Sequence, residues 1–158
     1  MRSLFVLIAG VSLAPLALAS IDDVTLPPGF AIEVYADVPN ARSLAMGDRG
    51  TLFVSTRKAR EVYAVIENDD GSTRTIELAD DFRTPNGIAF HDGDLYVAEI
   101  ASVYRFRNIE DHLESPPEPE LLDIPLPSEK HHGWRYIGFG PDGKLYISIG
   151  IPCNICEE

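Results

Sequence analysis

Apolar residues in this chain come in short alternating runs, and the period is two rather than 3.6. Val, Ile, Tyr and Phe gather in stretches of four to eight, punctuated by Gly, Asp and Pro, which is a strand pattern. Phe30-Ala-Ile-Glu-Val-Tyr-Ala-Asp-Val38 predicts a half-buried strand, with Leu26-Pro-Pro-Gly29 as its lead-in turn. Only Ile109 to Leu113 has a helical cast, and it is too short to matter.

Three segments share one layout. They are Ser43-Leu-Ala-Met-Gly-Asp-Arg-Gly-Thr-Leu-Phe-Val-Ser55, Gly87-Ile-Ala-Phe-His-Asp-Gly-Asp-Leu-Tyr-Val-Ala98 and Ile137-Gly-Phe-Gly-Pro-Asp-Gly-Lys-Leu-Tyr-Ile-Ser148. Each predicts a strand, a tight Asp/Gly turn and a Leu-aromatic-Val/Ile strand, the Gly supplying the positive φ that hairpin turns need. A third strand fits Val62–Val65 in one unit and Val103–Phe106 in the next. A fourth fits Thr73–Leu78 and, more weakly, Leu121–Ile124. The anchors Leu52, Leu95 and Leu145 stand 43 and 50 residues apart. Four strands per period of that size is the signature of propeller blades. The chain therefore reads as all-β, a β-propeller of about three blades, the third incomplete. A ring closes with roughly four to eight blades, so the expectation is a partial propeller. Pro116-Pro-Glu-Pro-Glu120 reads as a stiff surface loop within the repeats.

The N-terminus adds a compartment. Arg2, an apolar run from Leu4 to Ala19 and the Ala17-Leu-Ala19 cleavage pattern predict a secretory signal peptide over residues 1–19. The propeller domain is then 20–158, periplasmic or secreted, with no membrane span after cleavage. A net charge of −12 disfavours nucleic acid and anionic membrane as partners. In an oxidising compartment, Cys153-Asn-Ile-Cys156 predicts a local disulfide. C-x-x-C also serves redox and haem sites, but Glu157 replaces the His that haem attachment requires, and no βαβ pattern surrounds it.

Propeller ligands bind near the axis, on loops between blades, and three clusters fall there. In Lys130-His-His-Gly-Trp-Arg135, a His is a candidate general base near neutral pH. Strand alternation would turn only one of His131 and His132 inward; a surface pair is the plainer alternative. Gly150-Ile-Pro-Cys-Asn154 leaves the last strand and brings Asn154 toward the same region. Thr84-Pro-Asn-Gly87 offers Asn86 as a substrate-side or metal-side amide, or simply as a turn residue.

Two stretches resemble a known family. Leu26-Pro-Pro-Gly-Phe30 with Leu52-Phe-Val54 and Val62-Tyr-Ala-Val65 is similar to the opening of soluble pyrroloquinoline-quinone (PQQ) dependent sugar dehydrogenases. So is His132-Gly-Trp-Arg135 with Phe139-Gly-Pro-Asp-Gly-Lys-Leu-Tyr-Ile-Ser-Ile-Gly150 and Asn154, whose ending resembles the sorbosone-dehydrogenase branch. The resemblance implies a six-bladed propeller holding PQQ and Ca²⁺ on its axis, a quinoprotein oxidising a sugar or aldose-type group. It matches His132 to the catalytic base, favoured over His131 by its spacing of eight before Gly140, and Asn154 to a cofactor-contacting amide. Cys153 stands where the family usually carries a basic residue, and the remaining PQQ and Ca²⁺ ligands would come from later blades, with no metal ligand within these residues. A sugar and an electron acceptor such as a cytochrome or quinone are the implied partners. Two other classes compete: a Ca²⁺-dependent gluconolactonase-like hydrolase, which Pro85-Asn-Gly-Ile-Ala-Phe90 also resembles and which would use Asn86 as a metal ligand, and a non-catalytic binding propeller.

Overall fold

The structure is a computed structural model and describes residues 21–151 and 153–155. The expected signal peptide and Cys156 lie outside the described residues. The chain divides into two units, 1–34 and 35–158. The described part of the first holds a single 3₁₀ turn, Ile21–Asp23.

The second unit is all-β. Its first sheet is β1 (Ala41–Met46), β2 (Leu52–Thr56), β3 (Val62–Glu67) and β4 (Thr73–Ala79), paired in that order and antiparallel throughout. The second repeats the meander with β5 (Gly87–His91), β6 (Asp94–Ala98), β7 (Val103–Phe106) and β8 (Glu120–Leu121). The third is the hairpin β9 (Ile137–Phe139) and β10 (Leu145–Ile147). Two four-stranded blades and a hairpin at the same period make this a propeller-type fold.

The hairpin turns set the register. Asp92 and Gly93 both take positive φ, 50° and 83°, between the paired His91 and Asp94. That is the two-residue turn whose twist suits antiparallel strands. It places Phe90 opposite Leu95, as Met46 faces Leu52 and Phe139 faces Leu145. The three inner strands are thus in equivalent registers, and their first residues lie at one end of the blades.

The main core lies between the first two blades. Phe53, Val62 and Ala64 of one meet Ile88, Leu95, Val97 and Phe106 of the other. Phe53 stacks on Phe90 at 5.6 Å between centroids, and Phe82, on the link between blades, meets Tyr104 edge-on at 5.3 Å. Truncating one such buried ring costs about 3–5 kcal/mol. A second cluster, Ala89, Ala98, Val103 and Ile137, joins the second blade to the third hairpin.

Three expectations are corrected. Phe30–Val38 forms no strand: the alternation is present, but no neighbouring strand offers it a ladder, and Phe30 and Val34 are exposed. The fourth strand of the second blade is only Glu120–Leu121, because past Leu122 the Ile124 N–H turns back to the Leu122 carbonyl instead of pairing across the ladder. Ile109–Asp111 closes a 3₁₀ turn, with Ile109 buried in the core.

Candidate functional site

The strand starts, the links between blades and the β2–β3 and β6–β7 loops converge at one end. Equivalent positions of the three repeats touch there. Arg42 occupies the β-bulge of β1, Asn86 precedes β5 and Arg135 lies just before β9. A bulge re-aims the extra side chain, and Arg42 Nε donates to Asn86 Oδ1 at 3.2 Å. Asn86 Nδ2 donates in turn to the Arg135 carbonyl at 2.9 Å, and the Asn86 carbonyl accepts from Ser55 Oγ at 2.9 Å. Gly87 allows this approach, since a Cβ there would sit 2.8 Å from the Arg135 carbonyl oxygen. Asn86 is 7% exposed. Both ends of its amide are occupied by protein, and the oxygen that would ligate a metal faces a guanidinium. Arg135 is 1% exposed and spends its guanidinium on the Ile100 and Pro127 carbonyls, at 2.8 and 2.6 Å.

His131 and His132 lie in a turn closed by Gly133 N–H to the Lys130 carbonyl, not in a strand. Strand alternation therefore does not separate them. Their rings sit together, 4.0 Å between centroids, and His132 takes a left-handed φ of 51°. His132 Nδ1 lies 2.8 Å from the Ile151 carbonyl. A carbonyl only accepts, so the neutral imidazole carries its proton on Nδ1, and Nε2 keeps its lone pair. The segment after β10 thus orients the ring, and Gly150 lets it pass close to the His132 backbone. Asn154 lies further along the same segment and is exposed. Cys153 is disulfide-bonded.

Charge at this end is uneven. Twelve of the chain's Lys and Arg residues are described, and six of them are ion-paired: Arg49, Arg60, Arg74, Arg105, Arg107 and Lys144. The other six are Arg42, Arg57, Lys58, Arg83, Lys130 and Arg135. All are at the convergent end, and none has an ion-pair partner among the described residues. Trp134 lies among them. The Arg57 guanidinium stacks 3.8 Å from its ring centroid and that of Arg42 lies at 5.9 Å. A cleft of about 610 Å³ opens beside Trp134, lined in part by Arg83, Thr84, Ser102, Ser128 and Lys130. Glu99, also on its wall, is 6% exposed and accepts the Arg83 N–H. Burial raises its pKa, and the Arg83 N–H and charge only partly offset this.

His91 is at the opposite end, the last residue of β5, stacked on Phe139 at 4.1 Å. His112 follows the 3₁₀ turn. Among the described residues, no group of three or more His, Cys, Asp or Glu is placed to hold a metal ion. The sequence pattern singled out the two histidines, Asn86 and Asn154 as candidates. It did not single out Arg57, Arg83 or Glu99, which carry no local motif, or the Ile151 carbonyl, which meets His132 through the backbone.

No family model matches the chain. An uncharacterized protein of Borreliella burgdorferi is 20% identical over 171 residues, covering 98% of this chain and 44% of that protein. Among solved structures, the fold is similar to the holo PQQ domain of pyranose dehydrogenase from Coprinopsis cinerea. That likeness has a TM-score of 0.63 and 16% identity, over 73% of this chain and 29% of the other. The PQQ-bound aldose sugar dehydrogenase of Streptomyces coelicolor gives a TM-score of 0.49 and 22% identity, over 69% and 37%. Virginiamycin B lyase from Staphylococcus aureus gives 0.46 and 13%, over 76% and 45%. The chain thus spans less than half the length of each of these proteins.

Proposed function

We propose that this chain is part of an exported, PQQ-dependent propeller oxidoreductase that oxidises a sugar or aldose-type group, with His132 as its base. The observation that carries the reading is the 2.8 Å contact of His132 Nδ1 with the Ile151 carbonyl, which leaves Nε2 free to take a proton. Support for the cofactor is indirect: the likeness to the pyranose dehydrogenase PQQ domain is one of fold. The charge is compatible, since a planar quinone bearing carboxylates suits an end where every unpaired cation of the described residues gathers. His132 and the exposed Asn154 are the residues here that would meet it, and the rest of its site belongs to further blades. When bound, such a quinone accepts the hydride equivalent from the substrate carbon. The chain's own part is acid–base: Nε2 takes the hydroxyl proton, and the Ile151 carbonyl stabilises the resulting imidazolium through Nδ1–H. The described residues do not fit a Ca²⁺ site, and no step here runs through one. The hydrolase reading loses its metal ligand, because Asn86 Oδ1 already accepts from Arg42.

Export is supported by the signal pattern of residues 1–19 and by the disulfide at Cys153. An extracytoplasmic cytochrome or quinone is the natural electron acceptor on this reading. The test is dye-linked sugar oxidation by the full-length protein supplied with PQQ. His132→Ala should abolish turnover while His131→Ala retains it, and the reverse pattern would sink the assignment.

A further inference from the structure

We infer that the cleft beside Trp134 binds the carboxylate of an acidic sugar, so that the substrate is a uronate- or aldonate-type molecule rather than a neutral one. The inference rests on the oxidoreductase reading for its sugar, but its evidence is independent of His132.

The chain carries 25 acidic residues against 13 basic ones, so a cation should find a carboxylate easily. Six of the twelve described do, and the six that do not share one end of the blades. Three carboxylates of this end are already engaged. Asp81 pairs with Arg60, Glu61 accepts the Tyr63 hydroxyl and Glu99 accepts the Arg83 N–H. Arg83 and Lys130 therefore reach the cleft with no ion pair among the described residues; Glu99 on the same wall offsets Arg83 in part, burial disfavouring its charged form, and the buried Arg135 adds a positive charge behind them. Uncompensated cations around a concave site attract an anion.

The same wall suits a sugar. Thr84, Ser102 and Ser128 supply hydroxyls for a polyol, and Trp134, 43% exposed, supplies an apolar ring edge. Its volume of about 610 Å³ is within the ordinary size of small-molecule sites.

Trp134 lines this cleft, so the part of a ligand-induced fluorescence change that Trp134→Phe removes reports the cleft. The full-length protein is titrated with galacturonate and, separately, with galactose, without quinone, and calorimetry on the same pairs covers a silent fluorophore. Galacturonate should give a saturable change that galactose at equal concentration does not. Arg83→Ala and Lys130→Ala should each weaken it by about ten- to a hundredfold, the range of a hydrogen bond to a charged group, with unchanged circular dichroism. Equal responses to the two sugars, or no binding by either method, would overturn the inference. Stoichiometric displacement of galacturonate by PQQ would also overturn it, assigning the cleft's cations to the cofactor and leaving the oxidoreductase reading intact. Turnover of neutral sugars alone would do the same.

Discussion

Replacing Asn86 by Ala should cost the fold far more than replacing an exposed amide. The side chain makes two hydrogen bonds across blade boundaries, receiving Arg42 Nε and donating to the Arg135 carbonyl. The alanine leaves the Arg135 carbonyl without that donor in a buried setting, at about 1–3 kcal/mol. The Arg42 bond is only part-buried and its guanidinium can turn to water, so its loss adds about 1 kcal/mol. The sum is about 2–4 kcal/mol. At about 3–5 °C per kcal/mol for a domain of this size, the melting temperature should fall by roughly 6–20 °C. Thermal denaturation followed by circular dichroism measures this. Asn154→Ala is the control, expected within about 0.5 kcal/mol of the parent because that residue is exposed. An Asn86→Ala variant that melts within 2 °C or so of the parent, yet loses ligand binding, would refute the clasp and return Asn86 to a role in recognition.

Other expectations follow from single contacts. Burial holds the Glu99 pKa above the ordinary carboxylate range, so folding favours its protonated form. Stability from this group is present at acid pH and lost as pH rises through the folded pKa. Glu99→Gln keeps an acceptor for the Arg83 N–H and removes the charge, so its melting advantage over the parent should grow from pH 4.5 to 7.5; an advantage that shrinks would contradict this. The Tyr63 hydroxyl, desolvated by burial and donated to Glu61, has its pKa pushed up to about 12. Alkaline absorbance titration should show a late-titrating tyrosine that disappears in Tyr63→Phe. Gly87→Ala should loosen the second blade from the third hairpin, since its Cβ would meet the Arg135 carbonyl at 2.8 Å and Ala98 Cβ at 3.1 Å. Urea melts should then show a loss of about 1–3 kcal/mol, the usual overpacking cost.

The strands were legible because each hairpin carries its own register marks. Leu52, Leu95 and Leu145 follow a Gly-bearing turn, and each pairs with the inner-strand residue that the repeat spacing selects. Val103–Phe106 matches its predicted bounds. Phe30–Val38 was misread because alternation reports a preference for two faces, while a strand also needs a partner edge. The His131–His132 turn was misread because strand geometry was carried past the end of the strand pattern. At the site, the histidines were visible as residue types, but the atom that orients His132 is a backbone oxygen nineteen residues away. The Arg42–Asn86–Arg135 contact was available in the repeat alignment, since the three occupy equivalent positions. The meeting of Arg57 with Trp134 was not: it joins a loop of the first blade to the link before the third hairpin.

The central claim is that this end of the propeller supports quinone-dependent oxidation of a sugar. Its most direct test is dye reduction by the full-length purified protein, with PQQ and a panel of neutral and acidic sugars each omitted in turn. The account predicts reduction that requires both PQQ and a sugar and that disappears in His132→Ala. Saturating PQQ binding with no sugar-dependent reduction across the panel, or full reduction in His132→Ala, would contradict it.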